Sequence, residues 1–320
     1  ERPVAEVTEQ DVENMIQNLR QQRTIWNAVE RPAAEGDRVR IDFEGTIDGQ
    51  GFTGGKSDNV SVILGKGSML KDFENQLIGS NAGAAIEFDI TFPNDYHDKS
   101  VADKTARFQV KVHAVEEAVL PEVDETFAES FDVKEGGVEG LRRSLRENME
   151  RELRDGIKAT VKRQVMQGLW DVNPIPLPKI LIEAEIEQLA RQLYFPADAK
   201  DEKTQELKAQ LFEPEARRRV ALGLLISRLA AVQEIKPDER RVWDYLETAA
   251  STYQEPAEVL RWYEKTPRAL DSVRALVLED QVVDWLLERA QVAEKTSTFA
   301  EIMTPVKQQP AEPLEREIAE

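Results

Sequence analysis

The sequence has no cysteine and only two histidines. The absence of cysteine excludes disulfide bonds, thiolate catalysis and cysteine-ligated zinc, and it agrees with a reducing cytosol. His97 and His113 lie far apart and outside any H-E-x-x-H pattern, so the sequence gives no support to a metal site. We expect neither a metal ion nor another cofactor.

Long apolar runs are also missing. No stretch approaches the roughly 20 consecutive apolar residues that span a bilayer. The chain opens at Glu1 without the basic and apolar regions of a signal peptide. We therefore expect a cytoplasmic protein that is not exported and has no membrane partner. Because the first residue is not methionine, we also expect the numbering to start inside a longer protein.

Positive charge is scarce relative to negative charge. Lys and Arg together number 42, Asp and Glu together number 61, and the net charge is −19. A surface of this sign repels phosphate backbones, which argues against nucleic acid as a partner. With 320 residues, the chain is long enough for two or three domains.

Ordinary catalytic motifs are nearly absent. Gly54-Gly55-Lys56-Ser57 resembles part of a phosphate-binding loop, but the motif also requires a glycine where the chain has Gln50. Acidic pairs such as Glu116-Glu117 are common in a chain this charged, and a solvated surface explains them better than acid-base catalysis does. The remaining candidate is a site built from apolar side chains.

The spacing of apolar residues predicts a small α+β domain in the first part of the chain. Residues 8–26 have the spacing of a helix that begins after Thr8 and leads into the loop 31–36. Alternation in residues 39–43, 86–92 and 106–112 predicts strands of an antiparallel sheet, and Asp48-Gly49 predicts a hairpin turn. A fourth strand is predicted at 60–64. A short helix that covers the sheet is predicted from Met69, Leu70, Phe73 and Leu77.

After about Leu120 the strand patterns end and helical patterns begin. Helices are predicted at 138–172, 179–195, 214–234, 238–253, 256–264 and 268–292. The first of these is long and charged, which indicates an extended arm with two wet faces. Apolar stripes that could hold other chains include Val220, Leu222, Leu224, Leu225, Leu229, Leu276, Val283, Trp285 and Leu286, of which at least roughly two in three are expected to be core. The tail 305–320 is predicted to be disordered.

Several short motifs, in this order, resemble known families. The segments 36–45, 48–52 and 64–67, with Phe73-Glu74, resemble the FK506-binding-protein type of prolyl isomerase over about 36–115. The segments 7–12, 138–153 and 214–220 are similar to trigger factors. This resemblance implies an α+β fold in which an FKBP-like antiparallel sheet, wrapped on a short helix, is inserted beside an extended all-α multi-helix domain. The implied domains are a linker helix packing with the helical body (1–35), the isomerase (36–117) and the helical chaperone domain (118–304).

The same resemblance implies the residues of the prolyl-isomerase pocket. Those expected at the reacting bond are Tyr96, Phe108, Leu70 and Phe73, and those expected to bind the substrate are Phe43, Phe52 and Met69. Tyr96 is a candidate hydrogen-bond donor to the substrate carbonyl. For Phe43 and Phe108, inward-facing on strands, the sequence leaves open whether each is core, pocket wall or both.

Two departures from the family pattern predict a reduced or altered activity. Leu70-Lys71-Asp72-Phe73-Glu74 replaces the usual Ile-Pro-Gly-Phe-Glu, so that Asp72 stands where relatives have a flexible glycine. Thr53 occupies a position that is acidic in many relatives.

The function implied by the resemblance is that of a chaperone. Such a protein binds unfolded or nascent polypeptides and catalyses cis/trans isomerisation of X-Pro bonds, with a link to cell division. Ribosome contact is expected only through an N-terminal domain missing from this chain. The alternatives are a helical adaptor, or a dimeric isomerase, whose isomerase module is weak or inactive. An exported isomerase-chaperone is a further alternative, against which the missing export segment counts.

Overall fold

The computed structural model describes residues 1–96, 98–133, 135–193 and 202–304. They form two compact units. One unit is Thr8–Glu147, and the other joins Glu1–Val7 to the chain from Asn148 onwards. The predicted disordered tail 305–320 and the predicted end of the helix 179–195 lie outside the described residues.

The first part of the chain combines strands with helices. They are β1 (Arg2–Val4), α1 (Glu9–Gln22), β2 (Ile25–Val29), β3 (Arg38–Ile47), β4 (Gln50–Ile63), α2 (Lys71–Leu77), β5 (Ala85–Thr91), β6 (Thr105–Val119) and α3 (Glu125–Glu129). Helices dominate the rest, namely α4 (Gly137–Val172), α5 (Lys179–Gln192), α6 (Glu202–Val232), α7 (Glu239–Ala250), α8 (Pro256–Lys265) and α9 (Pro267–Leu287), followed by β7 (Glu294–Thr296) and α10 (Phe299–Met303).

The sheet of the unit Thr8–Glu147 is antiparallel and has five strands in the order β2-β6-β3-β4, with β5 also paired to β6. Alternate residues of β3 and β6 point to one side and are buried, as their period of two predicts. They pack with Phe73 and Leu77 of α2 in one core. The predicted α+β fold, with a sheet wrapped on one short helix, is confirmed.

The hairpin between β3 and β4 turns at Asp48 and Gly49, whose φ angles are 50° and 78°. Two consecutive positive φ angles are typical of the type I′ turn that Asp-Gly favours, so this prediction is confirmed. The predicted strand 60–64 is instead the end of the long strand β4. The polar and glycine-rich stretch from Thr53 to Asn59 conceals the strand pattern, and two register shifts interrupt its pairing with β3.

Helix α1 begins at a capping box, because Thr8 and Asp11 exchange side-chain and backbone hydrogen bonds. Its Leu19 joins an apolar cluster formed by α3 and the first turns of α4, around buried Phe127 and Leu141. The predicted helix 8–26 is too long at its end, since strand β2 already begins at Ile25. This short strand pairs with the end of β6, a long-range contact that its own sequence does not reveal.

Apolar clusters lie at several places among the helices that the structure describes. The α5–α6 pair has one cluster, α7, α8 and α9 have a second, and α4, α6 and α9 share a third. The third cluster buries Met166 of α4 against Ile226 and Val282. The prediction that α4 has two wet faces is therefore wrong for its C-terminal part.

Helix α6 runs through Pro214, so the prediction of a helix that starts there is wrong. A proline inside a helix removes one backbone hydrogen bond. Here Phe212 and Ala216, on either side of the proline, are buried against α5, and ion pairs one turn apart flank it. This packing stabilises the helix at the position where the proline removes a hydrogen bond.

A short parallel pair joins β1 to β7, with Arg2 opposite Glu294 and Val4 opposite Thr296. Strands of three residues carry too little pattern to be predicted from sequence. Among the helices that the structure describes, none combines the length and apolar character needed to cross a bilayer.

Asp37, at the entry to β3, gives a prediction about pH. Its buried carboxylate accepts hydrogen bonds from Arg31 at 2.6 and 3.0 Å and from the Ala34 amide at 2.8 Å. Despite burial, these bonds hold the pKa of Asp37 below its ordinary value. A lowered folded-state pKa gives stability that is present above the unfolded-state pKa and is lost as the pH falls through the folded one.

We therefore expect Asp37→Asn to lower the free energy of unfolding by about 1.5–3 kcal/mol at neutral pH, the value of hydrogen bonds to a charged group. The difference from the wild type should narrow as the pH falls below about 4. Urea unfolding from neutral to acid pH measures the difference in unfolding free energy between the variant and the wild type. Asp58→Asn, at an exposed position, is the control. A difference that stays constant into strong acid would contradict this account.

Gly45 gives a second prediction, because it lies opposite Phe108 in the pairing of β3 with β6. A β-carbon at Gly45 would stand 2.5 Å from the Phe108 ring. We expect Gly45→Ala to destabilise the unit by about 1–3 kcal/mol, the usual cost of overpacking. Urea unfolding of Gly51→Ala, where a β-carbon meets open space, provides the matched control. Equal costs for the two variants would show that Phe108 does not require the glycine.

Candidate active site

A cavity of about 350 Å³ opens between α2, β3, β4 and the start of β6. Its walls contain every residue that the sequence predicts for the pocket: Phe43, Phe52, Met69, Leu70, Phe73, Tyr96 and Phe108. The other lining residues are Thr53, Gly54, Ser68, Phe92, Asp98 and Val101. The structure thus brings the predicted residues together, while their roles towards a substrate stay a prediction.

Aromatic rings packed around Phe108 form the floor of the cavity. The Phe73 ring meets Phe108 edge-on, with centroids 5.2 Å apart and planes at 88°. Phe52 and Phe43 lie 6.3 and 6.2 Å from the same ring. Edge-to-face geometry brings the positive edge of one ring to the negative face of the next. This attraction stabilises the cluster by more than the burial of apolar area alone does.

Phe43 and Phe108 both belong to the hydrophobic core and both line the cavity. Their exposed fractions are 9% and 5%. Each ring therefore packs in the core and also lines the cavity, while its role towards a substrate stays a prediction.

The rim is formed by half-buried side chains from the connecting segments. Met69 and Leu70 come from the segment before α2, and Tyr96 comes from the segment after β5. The Tyr96 ring packs against Phe92, with centroids 4.9 Å apart. Rim residues on connections between rigid elements are a common arrangement in binding sites.

Sequence reasoning missed Phe92 and Val101 as lining residues. Phe92 is buried, and its ring stands 5.7 Å from that of Phe52 at a nearly perpendicular angle. It ends the alternating pattern 86–92, so the inward side of that pattern was a signal that could have found it. Val101 lies in a polar connection without any apolar period, and its burial follows only from the folded structure.

The departures at Lys71 and Asp72 fall in the first turn of α2, which begins after Leu70. Asp72 is not among the residues with positive φ, so this position does not need the conformational freedom of glycine. A negative charge here also interacts favourably with the helix dipole. The structure thus removes the backbone argument for a reduced activity, and Thr53 remains the departure that changes the cavity wall.

The segment before α2 is fixed by the buried carboxylate of Glu74. Burial raises the pKa of this group, but hydrogen bonds from the amides of Met69, Gly65 and Gly67 and from the Ser68 hydroxyl hold the pKa below its ordinary value. The carboxylate is therefore ionised at neutral pH, and it fixes the wall that carries Met69 and Leu70.

A cavity of this kind suits rotation about a peptide bond. The barrier of ~18–20 kcal/mol arises from the loss of amide resonance, and lowering it requires neither a nucleophile nor a metal. A twisted amide is less polar across its C–N unit than a planar one. Apolar walls that remove water can therefore favour the twisted state over the planar one.

Comparison with known families agrees with this geometry. The family described as FKBP-type peptidyl-prolyl cis-trans isomerase matches residues 29–113, the stretch that contains the sheet and the cavity. The fold and the site define this part of the chain as a peptidyl-prolyl isomerase domain of the FKBP type. A second family, described as the C-terminus of the bacterial trigger factor protein, matches residues 137–288.

Curated relatives extend the match to nearly the whole chain. Trigger factor from Stutzerimonas stutzeri is 45% identical over 96% of this chain and 70% of the relative. Those from Idiomarina loihiensis and Alkalilimnicola ehrlichii are 42% and 44% identical, over 96% and 97% of this chain and 71% and 69% of the relatives. The chain belongs to the trigger factor family.

A protein of this family is a chaperone for unfolded or nascent polypeptides and has an FKBP-type prolyl-isomerase domain. One solved structure, from a study of promiscuous substrate recognition by the trigger factor chaperone, also matches. It is 20% identical over 88% of this chain and 68% of that chain, with a TM-score of 0.46.

The cavity predicts the effect of two substitutions on isomerisation. Phe108→Leu removes the ring at the centre of the floor, and Tyr96→Ala removes a rim ring. We expect each to slow a proline-limited refolding reaction by about ten-fold, the effect of losing about 1.4 kcal/mol of transition-state stabilisation. Asp58→Asn, at an exposed position outside the cavity lining, is the control. Unchanged rates in both folded variants would reject this cavity as the site.

Proposed function

We propose that the chain binds unfolded polypeptides on its helical unit and catalyses X-Pro rotation in the aromatic cavity. In this proposal Tyr96, Phe108, Leu70 and Phe73 contact the reacting bond. Phe43, Phe52 and Met69 enclose the proline ring. The observation that carries the proposal is the cavity itself, whose aromatic floor belongs to the core and leaves about 350 Å³ open.

Exposed apolar side chains on the helical unit support the binding of unfolded chains. Tyr245, Tyr253 and Trp262 are 50%, 62% and 54% exposed, although aromatic rings are costly to leave in water. Leu276 is 46% exposed. Among the apolar residues that the sequence offered as candidates, Leu276 is exposed, whereas Leu222 and Val283 belong to the core.

Scattered apolar side chains suit a partner without a fixed sequence, because such a surface does not require complementary shape. The net charge of −19 keeps such a surface from self-association and disfavours nucleic acid as a partner. We propose the cytoplasm as the location, without a membrane partner. Ribosome contact, which family resemblance assigns to an N-terminal domain, stays a prediction.

We also propose the domain assignment of 1–35 as linker helix, 36–117 as isomerase and 118–304 as chaperone domain. Helix α1 packs on the first turns of α4, and Arg142 and Arg146 of α4 pair with Glu13 and Glu9 of α1. These contacts support a linker helix that docks on the start of the helical part. A link to cell division stays a prediction from family resemblance.

Lys71 and Asp72 are the sequence features that made the alternative of an adaptor with a weak isomerase module more plausible. Because both lie in an unstrained helical turn, no observation favours that alternative over an active isomerase.

Separating the two activities tests the proposal. Residues 8–147 contain the sheet and the apolar clusters around Phe108 and Phe127. They should isomerise a short X-Pro peptide but fail to prevent aggregation of a proline-free unfolded client. Phe108→Leu in the full chain should isomerise the peptide more slowly but still prevent aggregation of the client.

The two assays should use equal molar concentrations, and circular dichroism should first confirm that each protein is folded. The unaltered full chain, active in both assays, is the positive control. Full suppression of aggregation by residues 8–147 would contradict the proposed division of labour, as would loss of suppression in Phe108→Leu.

A further inference from the structure

Glu74 is a buried acid with an unusually complete set of donors. Its side chain belongs to a residue that is 3% exposed. One carboxylate oxygen, Oε2, accepts from the amides of Gly65 at 2.9 Å and Gly67 at 3.3 Å. The other, Oε1, accepts from the Met69 amide at 2.9 Å and the Ser68 hydroxyl at 3.2 Å. Both oxygens therefore bind the same segment, residues 65–69.

This segment needs the carboxylate because it has little other regular structure. Gly65 and Gly67 have φ angles of 83° and 71°, which other residues rarely adopt. The segment bends so that several amides converge on one point. Without an anion there, these donors would repel one another and would lose their acceptor within the protein. Glu74 thus replaces the hydrogen bonds that a strand or helix would supply.

The segment leads directly into the cavity wall. Ser68, Met69 and Leu70 line the cavity, and Leu70 immediately precedes α2, which also carries Glu74. The carboxylate itself is not among the groups that line the cavity. Its effect on a bound proline must therefore pass through the backbone of residues 65–70.

We propose that Glu74 is a positioning residue for prolyl isomerisation, whose carboxylate sets the wall formed by Ser68, Met69 and Leu70. This inference rests on the proposed cavity as the site of reaction. Glu74 transfers no proton in this role, because both of its oxygens accept hydrogen bonds from the segment and the residue does not line the cavity. Losing the carboxylate should weaken substrate binding while the aromatic floor stays in place.

The geometry predicts a graded series of variants. In Glu74→Gln one oxygen remains. It can accept hydrogen bonds either from the Gly65 and Gly67 amides or from the Met69 amide. The new NH₂ group then faces amides that are also donors, so one side of the segment is released. Glu74→Ala releases both sides. The order of activity should be wild type, then Gln, then Ala.

The experiment measures kcat and KM for a short X-Pro peptide, together with hydrogen exchange of the Gly65 and Met69 amides, in the full chain. We expect kcat/KM to fall about ten-fold in Glu74→Gln and up to about 100-fold in Glu74→Ala, the range for a misplacement of about 1 Å. The loss should lie mainly in KM, because a wall that binds ground state and transition state alike changes binding without changing kcat.

Val115→Ala is the matched control for stability. Val115 is a fully buried core residue that does not line the cavity, so its truncation destabilises the same unit. After correction for the folded fraction, Val115→Ala should keep the KM of the wild type. The positioning role is overturned if Glu74→Gln also keeps that KM. It is overturned as well if the loss of kcat/KM in Glu74→Gln only matches the loss in Val115→Ala.

Gly67→Ala provides a second route if the Glu74 variants fail to fold. A β-carbon at Gly67 meets no atom within 4 Å, so the substitution strains only the backbone of the segment. Raised KM and faster exchange at Met69 are expected, and wild-type values of both would contradict the proposal. An inactive wild-type chain would instead refute the proposed isomerase site, and hydrogen exchange would still show whether Glu74 orders the segment.

Discussion

The packing of the Phe108 ring across Gly45 is the constraint on which the isomerase unit depends. The two residues are opposite each other in the β3–β6 pairing, and the missing side chain of Gly45 leaves the space that the ring occupies. From there the ring reaches Phe73 of α2 and Phe52 of β4. One side chain therefore fixes the distance of the helix from the sheet and forms the centre of the cavity floor.

Local patterns were sufficient to predict most of this unit. The alternation of β3 and β6 identifies Phe43 and Phe108 as inward-facing, and Asp48-Gly49 identifies the hairpin. The full length of β4, the strand β2 and the position of Val101 depend on contacts with distant segments, which no window of sequence contains. Family resemblance supplied the cavity residues on the connecting segments, where periodicity carries no information.

In the helical unit the same kind of pattern was less informative. Leu222 and Leu276 stand in similar apolar stripes, yet one is buried between helices and the other is exposed. An amphipathic period shows that a helix has an apolar face, but the partner of that face is set by tertiary packing. Pro214 shows the same limit, because buried neighbours on both sides extend a helix that the proline alone would end.

The two proposed activities make opposite physical demands. Isomerisation needs walls that stay in place, because only a preformed cavity stabilises the twisted amide more than the planar one. The packed ring cluster provides this rigidity, and the Glu74 carboxylate holds the wall against which the substrate binds. Holding varied unfolded chains needs adaptable apolar surface, which small separate clusters and exposed aromatic side chains provide. A chain with one continuous core would bury the apolar surface that holds unfolded chains. A chain without the rigid unit would have no fixed cavity for isomerisation.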